Sequence, residues 1–185
     1  MLDANELRKG TTFILDGELY QVLEYQHYKP GRGNAIIRTK IRNLHSGSII
    51  PRNFLSGDHF EEAPVERRSM QYLYEDGEFF YFMDTETYDQ IHVDAKMMED
   101  KKGFIKEGAE IIITLLENEA LDVELPSAVE LKVMESEVAV AGDTATGASK
   151  TVTCETGLQV QVPLFINVGD VIRVDTSTGK YNTRV

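Results

Sequence analysis

Short runs rich in β-branched and aromatic residues follow one another along this chain, each ended by a turn signal. They are Thr12–Leu15, Leu19–Tyr28, Ala35–Leu44, Gln71–Tyr74, Phe79–Met83, Ile111–Leu116, Leu121–Leu125, Val129–Val133, Leu158–Val162 and Val171–Val174. Asp16-Gly17, Asp76-Gly77 and Ser177-Thr178-Gly179 punctuate them. Strands so closely spaced leave no room for crossover helices, so the pattern predicts small β-barrels rather than βαβ units. One helix is predicted over Asp94–Lys101, with Asp94 as N-cap and Gly103 beyond its end. Two proline-bearing breaks, Glu61-Glu62-Ala63-Pro64 and Leu125-Pro126-Ser127-Ala128, interrupt pairing and divide the chain. The expectation is an all-β protein of three small barrels. Residues 1–63 form an SH3-like barrel with a projecting hairpin, and 65–126 and 128–185 form two OB-fold barrels.

Charge is distributed unevenly. Residues 1–63 hold eight basic and eight acidic side chains, 64–128 six and sixteen, and 129–185 five and seven, within a net charge of −12. An acidic average normally argues against a nucleic-acid partner. Yet no Asp or Glu occurs from Tyr25 to Gly57, a window that holds Lys29, Arg32, Arg38, Lys40, Arg42 and Arg52.

Within that window Lys29-Pro30-Gly31-Arg32-Gly33-Asn34 reads as the tip of a β-hairpin, because Pro presets φ and Gly and Asn tolerate positive φ. Alternation along the second strand puts Ile37, Thr39 and Ile41 on one face and Arg38, Lys40 and Arg42 on the other. One face can pack on a barrel while the other carries cations. Arg32 is the one large side chain between two glycines. Its planar guanidinium stays charged, suits phosphate oxygens and stacks on bases. The arm is therefore expected to touch RNA.

Other chemistry is weakly supported. His27, His45, His59 and His92 lack metal-type spacing. Asp84 and Glu86 follow an apolar run and are expected as a solvated strand end rather than an acid–base pair. Cys154, the single cysteine, has no activating base beside it and permits no internal disulfide. Gly31-x-Gly33 lacks the third glycine and helix of a dinucleotide site, and Ser48, Ser56 and Ser149 lack a nucleophile-elbow context. No enzyme, cofactor or metal is expected. No apolar run approaches the ~20 residues that span a bilayer, and Met1–Glu6 shows no basic region followed by an apolar core, so a cytoplasmic location is expected.

The third domain carries the most specific text, Lys150 through Gly169, ending Val160-Gln-Val162-Pro163-Leu-Phe-Ile166-Asn-Val-Gly169. With Gly142-Asp143-Thr144-Ala-Thr-Gly147, Phe82-Met83-Asp84-Thr-Glu86-Thr-Tyr88 and Val174-Asp175-Thr176 through Arg184, the chain resembles bacterial elongation factor P over essentially its whole length. The resemblance implies an L-shaped, tRNA-like arrangement of the three barrels. It implies a monomer that binds the 70S ribosome between the P and E sites, touches rRNA and P-site peptidyl-tRNA, and relieves stalling at consecutive prolines. Arg32 is then the tip residue near the peptidyl-transferase centre, in a loop shaped by Lys29, Pro30, Gly31 and Gly33. Gly142, Asp143, Thr144 and Gly147 would lie near the mRNA codon in the E site, and Tyr181 and Arg184 near the tRNA anticodon stem. Many members of that family carry a tip Lys that is extended by β-lysylation, which Arg32 excludes. Other members rhamnosylate an Arg there or leave it bare, so a partner glycosyltransferase is one of two routes left open. A generic single-stranded RNA-binding protein or RNA chaperone, stacking bases on the aromatics Tyr72, Tyr74, Phe79, Phe80, Tyr81 and Phe82, is the alternative.

Overall fold

The computed structural model describes residues 1–138 and 148–185, and three sheets account for nearly all their regular structure. The first sheet contains β1 (Leu2–Asp3), β2 (Thr12–Leu15), β3 (Glu18–Tyr28), β4 (Ile36–Asn43), β5 (Ile49–Leu55) and β6 (His59–Glu62), in the order β1-β6-β2-β3-β4-β5. It curls round a core of Leu7, Phe13, Val22, Ile37, Ile41, Phe54 and Phe60. Three of these rings pack edge-on or tilted, with Phe13–Phe60 and Phe54–Phe60 centroids 5.0 and 4.7 Å apart. The β2–β3 turn places Asp16 at φ 53° and Gly17 at φ 81°. Two successive positive φ values match the right-handed twist of the flanking strands, and Asp-Gly supplies them at low cost.

The second sheet contains β7 (Glu66–Glu75), β8 (Phe79–Asp84), β9 (Gln90–Asp94), β10 (Glu110–Leu116) and β11 (Glu119–Glu124), in the order β11-β10-β7-β8-β9. The third contains β12 (Ala128–Ser136), β13 (Ser149–Cys154), β14 (Gln159–Pro163), β15 (Val171–Asp175) and β16 (Tyr181–Arg184), in the order β14-β13-β12-β15-β16. Leu131, Val133, Val152, Cys154, Val160, Val162, Ile166, Ile172 and Val174 form its core.

Packing gathers these elements into two compact units. One is Met1–Glu66 with Leu115–Asp122, and the other is Arg67–Thr114 with Val123–Val185. In the first unit, Leu116 and Leu121 from the tip of the β10–β11 hairpin pack with Leu19, Ala63, Ile14, Leu44 and Val65. In the second unit, the Thr156 hydroxyl donates to the Gly103 carbonyl at 2.6 Å, and Phe104 packs against the core of the third sheet.

The structure departs from the sequence expectation in two ways. The helix α1 is only Ala95–Met98, capped by Asp94, whose carboxylate accepts the Lys96 N–H at 2.8 Å, and a 3-10 turn follows at Lys102–Phe104. Glu99-Asp100-Lys101-Lys102 offers no apolar face to carry the helix further, and so short a helix depends on packing. Additional strands also form where the composition is polar or proline-bearing, among them β5, β6, β9, β13 and β16.

Three aspartates hold turns together. Asp76 accepts the backbone N–H groups of Phe79 and Glu78 and the Tyr81 hydroxyl, all within 2.9 Å. Asp84 accepts N–H groups from Glu86 and Thr87 and bonds Arg68. Asp175 accepts the Ser177 hydroxyl and the N–H groups of Ser177 and Thr178. These donors favour the ionised form and hold all three carboxyls below the usual aspartate range, led by the Phe79 N–H, the Glu86 N–H and the Ser177 hydroxyl respectively. A depressed folded value contributes stability that is complete above the unfolded value of about 3.9 and is lost as pH falls through the folded value. The melting temperature is therefore expected to fall as pH drops below about 4. Asp175→Asn keeps an accepting oxygen but cannot titrate, so it should flatten that acid limb. An unchanged acid slope would remove Asp175 from this role.

Candidate nucleic-acid interface

A bulge at the base of β3 opens the candidate site. Register runs Gln21↔Arg42 and Val22↔Ile41, shifts between Val22 and Glu24, then continues Glu24↔Lys40, Tyr25↔Thr39, Gln26↔Arg38, His27↔Ile37 and Tyr28↔Ile36. Bulges bend a strand and sharpen its twist. β2 pairs with β3 only over Glu18–Gln21, so beyond the bulge no strand among the described residues pairs with β3 on that side. β5 flanks β4 throughout, from Arg42↔Ile49 to Ile36↔Leu55. The predicted two-stranded hairpin is thus a three-stranded arm. The third strand escaped notice because Pro51 breaks its pattern, but a proline is tolerated on an edge strand, where one side of the backbone needs no partner.

The predicted alternation is present. Ile37, Thr39 and Ile41 are buried, and the Thr39 hydroxyl donates to the Arg52 carbonyl at 2.8 Å. Arg38 and Lys40 are exposed on the opposite face. The tip joins Tyr28 to Ile36 through Lys29–Ala35, with Lys29, Gly31, Arg32 and Gly33 exposed and Pro30 half-buried. Gly33 has φ +101°, whereas Gly31 has an ordinary φ, and a Cβ at either would meet nothing within 4 Å. Gly33 is therefore required by backbone conformation and not by space. Among the described residues Arg32 has neither an ion-pair nor a hydrogen-bond nor a ring partner.

Arg38 lies over the Tyr28 ring, 4.7 Å from its centroid. Lys40 pairs with Glu24 at 3.7 Å in an exposed position. Arg42 is differently placed. It donates to Gln21 Oε1 at 2.8 Å and to Asp122 Oδ1 at 2.9 Å, and Gln21 Nε2 closes the ring by donating to Asp122 Oδ2 at 3.1 Å. Its charge is spent inside the first unit.

In the third sheet Tyr181 is half-buried against the core. Arg184 pairs with Asp170 at 3.8 Å and sits over the Phe165 ring at 5.4 Å. Phe165, exposed at 56%, was not singled out as a site residue in the sequence. Gly142, Asp143, Thr144 and Gly147 lie outside the described residues.

The remaining candidates take structural roles. Asp84 is buried and bonded to two N–H groups and Arg68, so the expected solvated strand end is instead a turn anchor with little capacity to hold a proton near neutrality. Cys154 lies in the third core, where burial and then Glu155 push its thiol pKa up. Among the described residues no cluster of His, Cys, Asp and Glu could hold a metal, and no helix is long and apolar enough to cross a membrane.

The Arg42–Asp122–Gln21 ring generates a stability prediction. Both ionic side chains are more than two-thirds buried. Asp122→Ala leaves the guanidinium uncompensated and should cost about 2 kcal/mol in urea unfolding. A loss below about 0.5 kcal/mol would mark the pair as solvent-screened.

Comparison with known proteins converges on one family. Models described as the elongation factor P KOW-like domain, the elongation factor P OB domain and the elongation factor P C-terminal domain match residues 3–60, 65–123 and 129–184. The chain is 50% identical to elongation factor P of Caldanaerobacter subterraneus subsp. tengcongensis, over all of both chains. It is 51% identical to that of a Thermoanaerobacter species and 47% to that of Moorella thermoacetica, again over the full length of each. With three family models in order and near-50% identity from end to end, the chain belongs to the elongation factor P family.

Proposed function

We propose that this protein binds the 70S ribosome between the P and E sites and promotes peptide-bond formation at consecutive prolines by positioning P-site peptidyl-tRNA. The carrying observation is the arm: three paired strands free of acidic residues beyond Glu24, ending in an exposed Arg32 with no intramolecular partner among the described residues. Membership of the family supports the same reading. Its partners are then rRNA and tRNA, and it works in the cytoplasm as a monomer.

The chemistry asked of it is positional. The proline ring fixes φ and removes the N–H, which narrows the geometries available to the reacting groups. Holding them in an attack-ready arrangement lowers the barrier without an acid or base, and small displacements are costly. Asp84, tied into its turn, is not offered as a proton carrier. Arg32 supplies a charged, planar group at the end of a stiff support, suited to phosphate oxygens or base faces, whether bare or glycosylated. Lys29 adds charge beside it. Arg38 and Lys40 contact the RNA backbone along the arm, where such contacts position without reading sequence. Arg42 serves by holding Asp122. In the third domain, Tyr181 and Arg184 face the tRNA anticodon stem, and Gly142, Asp143, Thr144 and Gly147 the E-site codon.

Reconstituted ribosomes should make Pro-Pro-Pro faster with the protein present and Phe-Phe-Phe no faster. Arg32→Ala should fold normally, since nothing packs on that side chain, and lose roughly ten- to hundredfold of the acceleration. Gly33→Ala should also impair it, because the tip backbone must change, while Gly31→Ala should be tolerated. No selective effect on Pro-Pro-Pro would overturn the function. A fully active Arg32→Ala would overturn the role of the tip.

A further inference from the structure

The solvent face of the arm carries a second feature that the role of Arg32 does not use. Register across β3, β4 and β5 aligns three rows: Tyr28–Ile36–Leu55, Gln26–Arg38–Asn53 and Glu24–Lys40–Pro51. Strands spaced about 4.8 Å apart make each row roughly 10 Å wide, and successive rows on one face lie about 7 Å apart. Tyr28 and Leu55 are 44% and 50% exposed, Ile36 is half-buried, and Gln26, Arg38 and Asn53 are exposed. An aromatic ring and two aliphatic side chains thus form an open row, bordered by a cation between two amides.

We infer that this face is a platform for one unpaired RNA nucleotide, its base stacked on Tyr28 and its phosphate held by Arg38. The inference deepens the proposed function and rests on the arm facing RNA. Several observations carry it. Arg38 is already set against the Tyr28 ring at 4.7 Å, so the two side chains fix each other before a ligand arrives. Glu24 is engaged by Lys40, and Asp58, at the Leu55 end of the first row, accepts the Leu55 N–H at 2.8 Å, which leaves the Arg38 guanidinium without a carboxylate partner among the described residues. The strands that build the face contribute no acid from Tyr25 to Gly57, and over its three rows the cations Arg38 and Lys40 outnumber the one acid Glu24, so the face is net cationic. Gln26 and Asn53 flank Arg38 directly and offer donors and acceptors to a base edge. Aromatic stacking with a cation alongside is how proteins hold unstacked bases, whereas duplex RNA presents shape and phosphates only.

The test uses the full-length protein and needs no ribosome, so its failure is separable from failure of the proline-stalling function. Side-chain NMR signals of Tyr28 and Arg38 are followed during titration at low salt with a single-stranded oligouridylate and, separately, with a blunt RNA duplex. The platform predicts shifts at Tyr28 and Arg38 with the single strand and not with the duplex. Tyr28→Phe should keep that affinity, and Tyr28→Leu, which retains apolar area but loses the ring, should weaken it about tenfold. Silence of Tyr28 and Arg38, equal shifts from the duplex, or Tyr28→Leu binding as well as Tyr28→Phe would overturn it.

Discussion

Everything proposed for this protein depends on the two-sidedness of β4. Ile37 and Ile41 must enter the first core, and the period of two then forces Arg38 and Lys40 outward. A slip of one residue would bury cations and expose isoleucines, so register and charge display are fixed by the same burial. Extension of β3 and β5 alongside β4 carries the arrangement past the part of β3 that β2 flanks, and the bulge before Glu24 marks where the arm begins. Three strands give the tip a stiffer base than a lone hairpin, which is marginal in water.

The arginines show how surroundings assign work to identical side chains. Arg42 is locked to Gln21 and Asp122 and spends its charge on internal structure. Arg38 is preset against a ring but has no carboxylate partner among the described residues. Arg32 is held by nothing described and retains its whole binding capacity for a partner. Free binding capacity rises towards the tip.

Much of the frame was legible in the sequence because it is written locally. Asp16-Gly17 announced a turn requiring two positive φ values, Asp94 announced a cap, and the Ile37–Arg42 alternation announced both faces of a strand. What stayed hidden depended on distant partners. β5 was masked by Pro51, which only an edge position excuses. The internal task of Arg42 is set by Asp122, eighty positions away in the chain. Asp84 looked like a solvated end until the Glu86 and Thr87 N–H groups folded back onto it. The cation–π pairs of Arg38 with Tyr28 and Arg184 with Phe165 depend on side-chain directions that spacing alone does not set.

The claim at the centre of this account is that the tip at position 32 reaches the peptidyl-transferase centre. Directed hydroxyl-radical probing tests it most directly. An Arg32→Cys variant carrying an iron chelate is bound to ribosomes holding P-site peptidyl-tRNA, and the buried native Cys154, its thiol disfavoured from ionising, should escape labelling. The account predicts cleavage confined to rRNA around the peptidyl-transferase centre and to the acceptor end of the P-site tRNA. Cleavage elsewhere on the ribosome, or none from a complex shown to be bound, would contradict it.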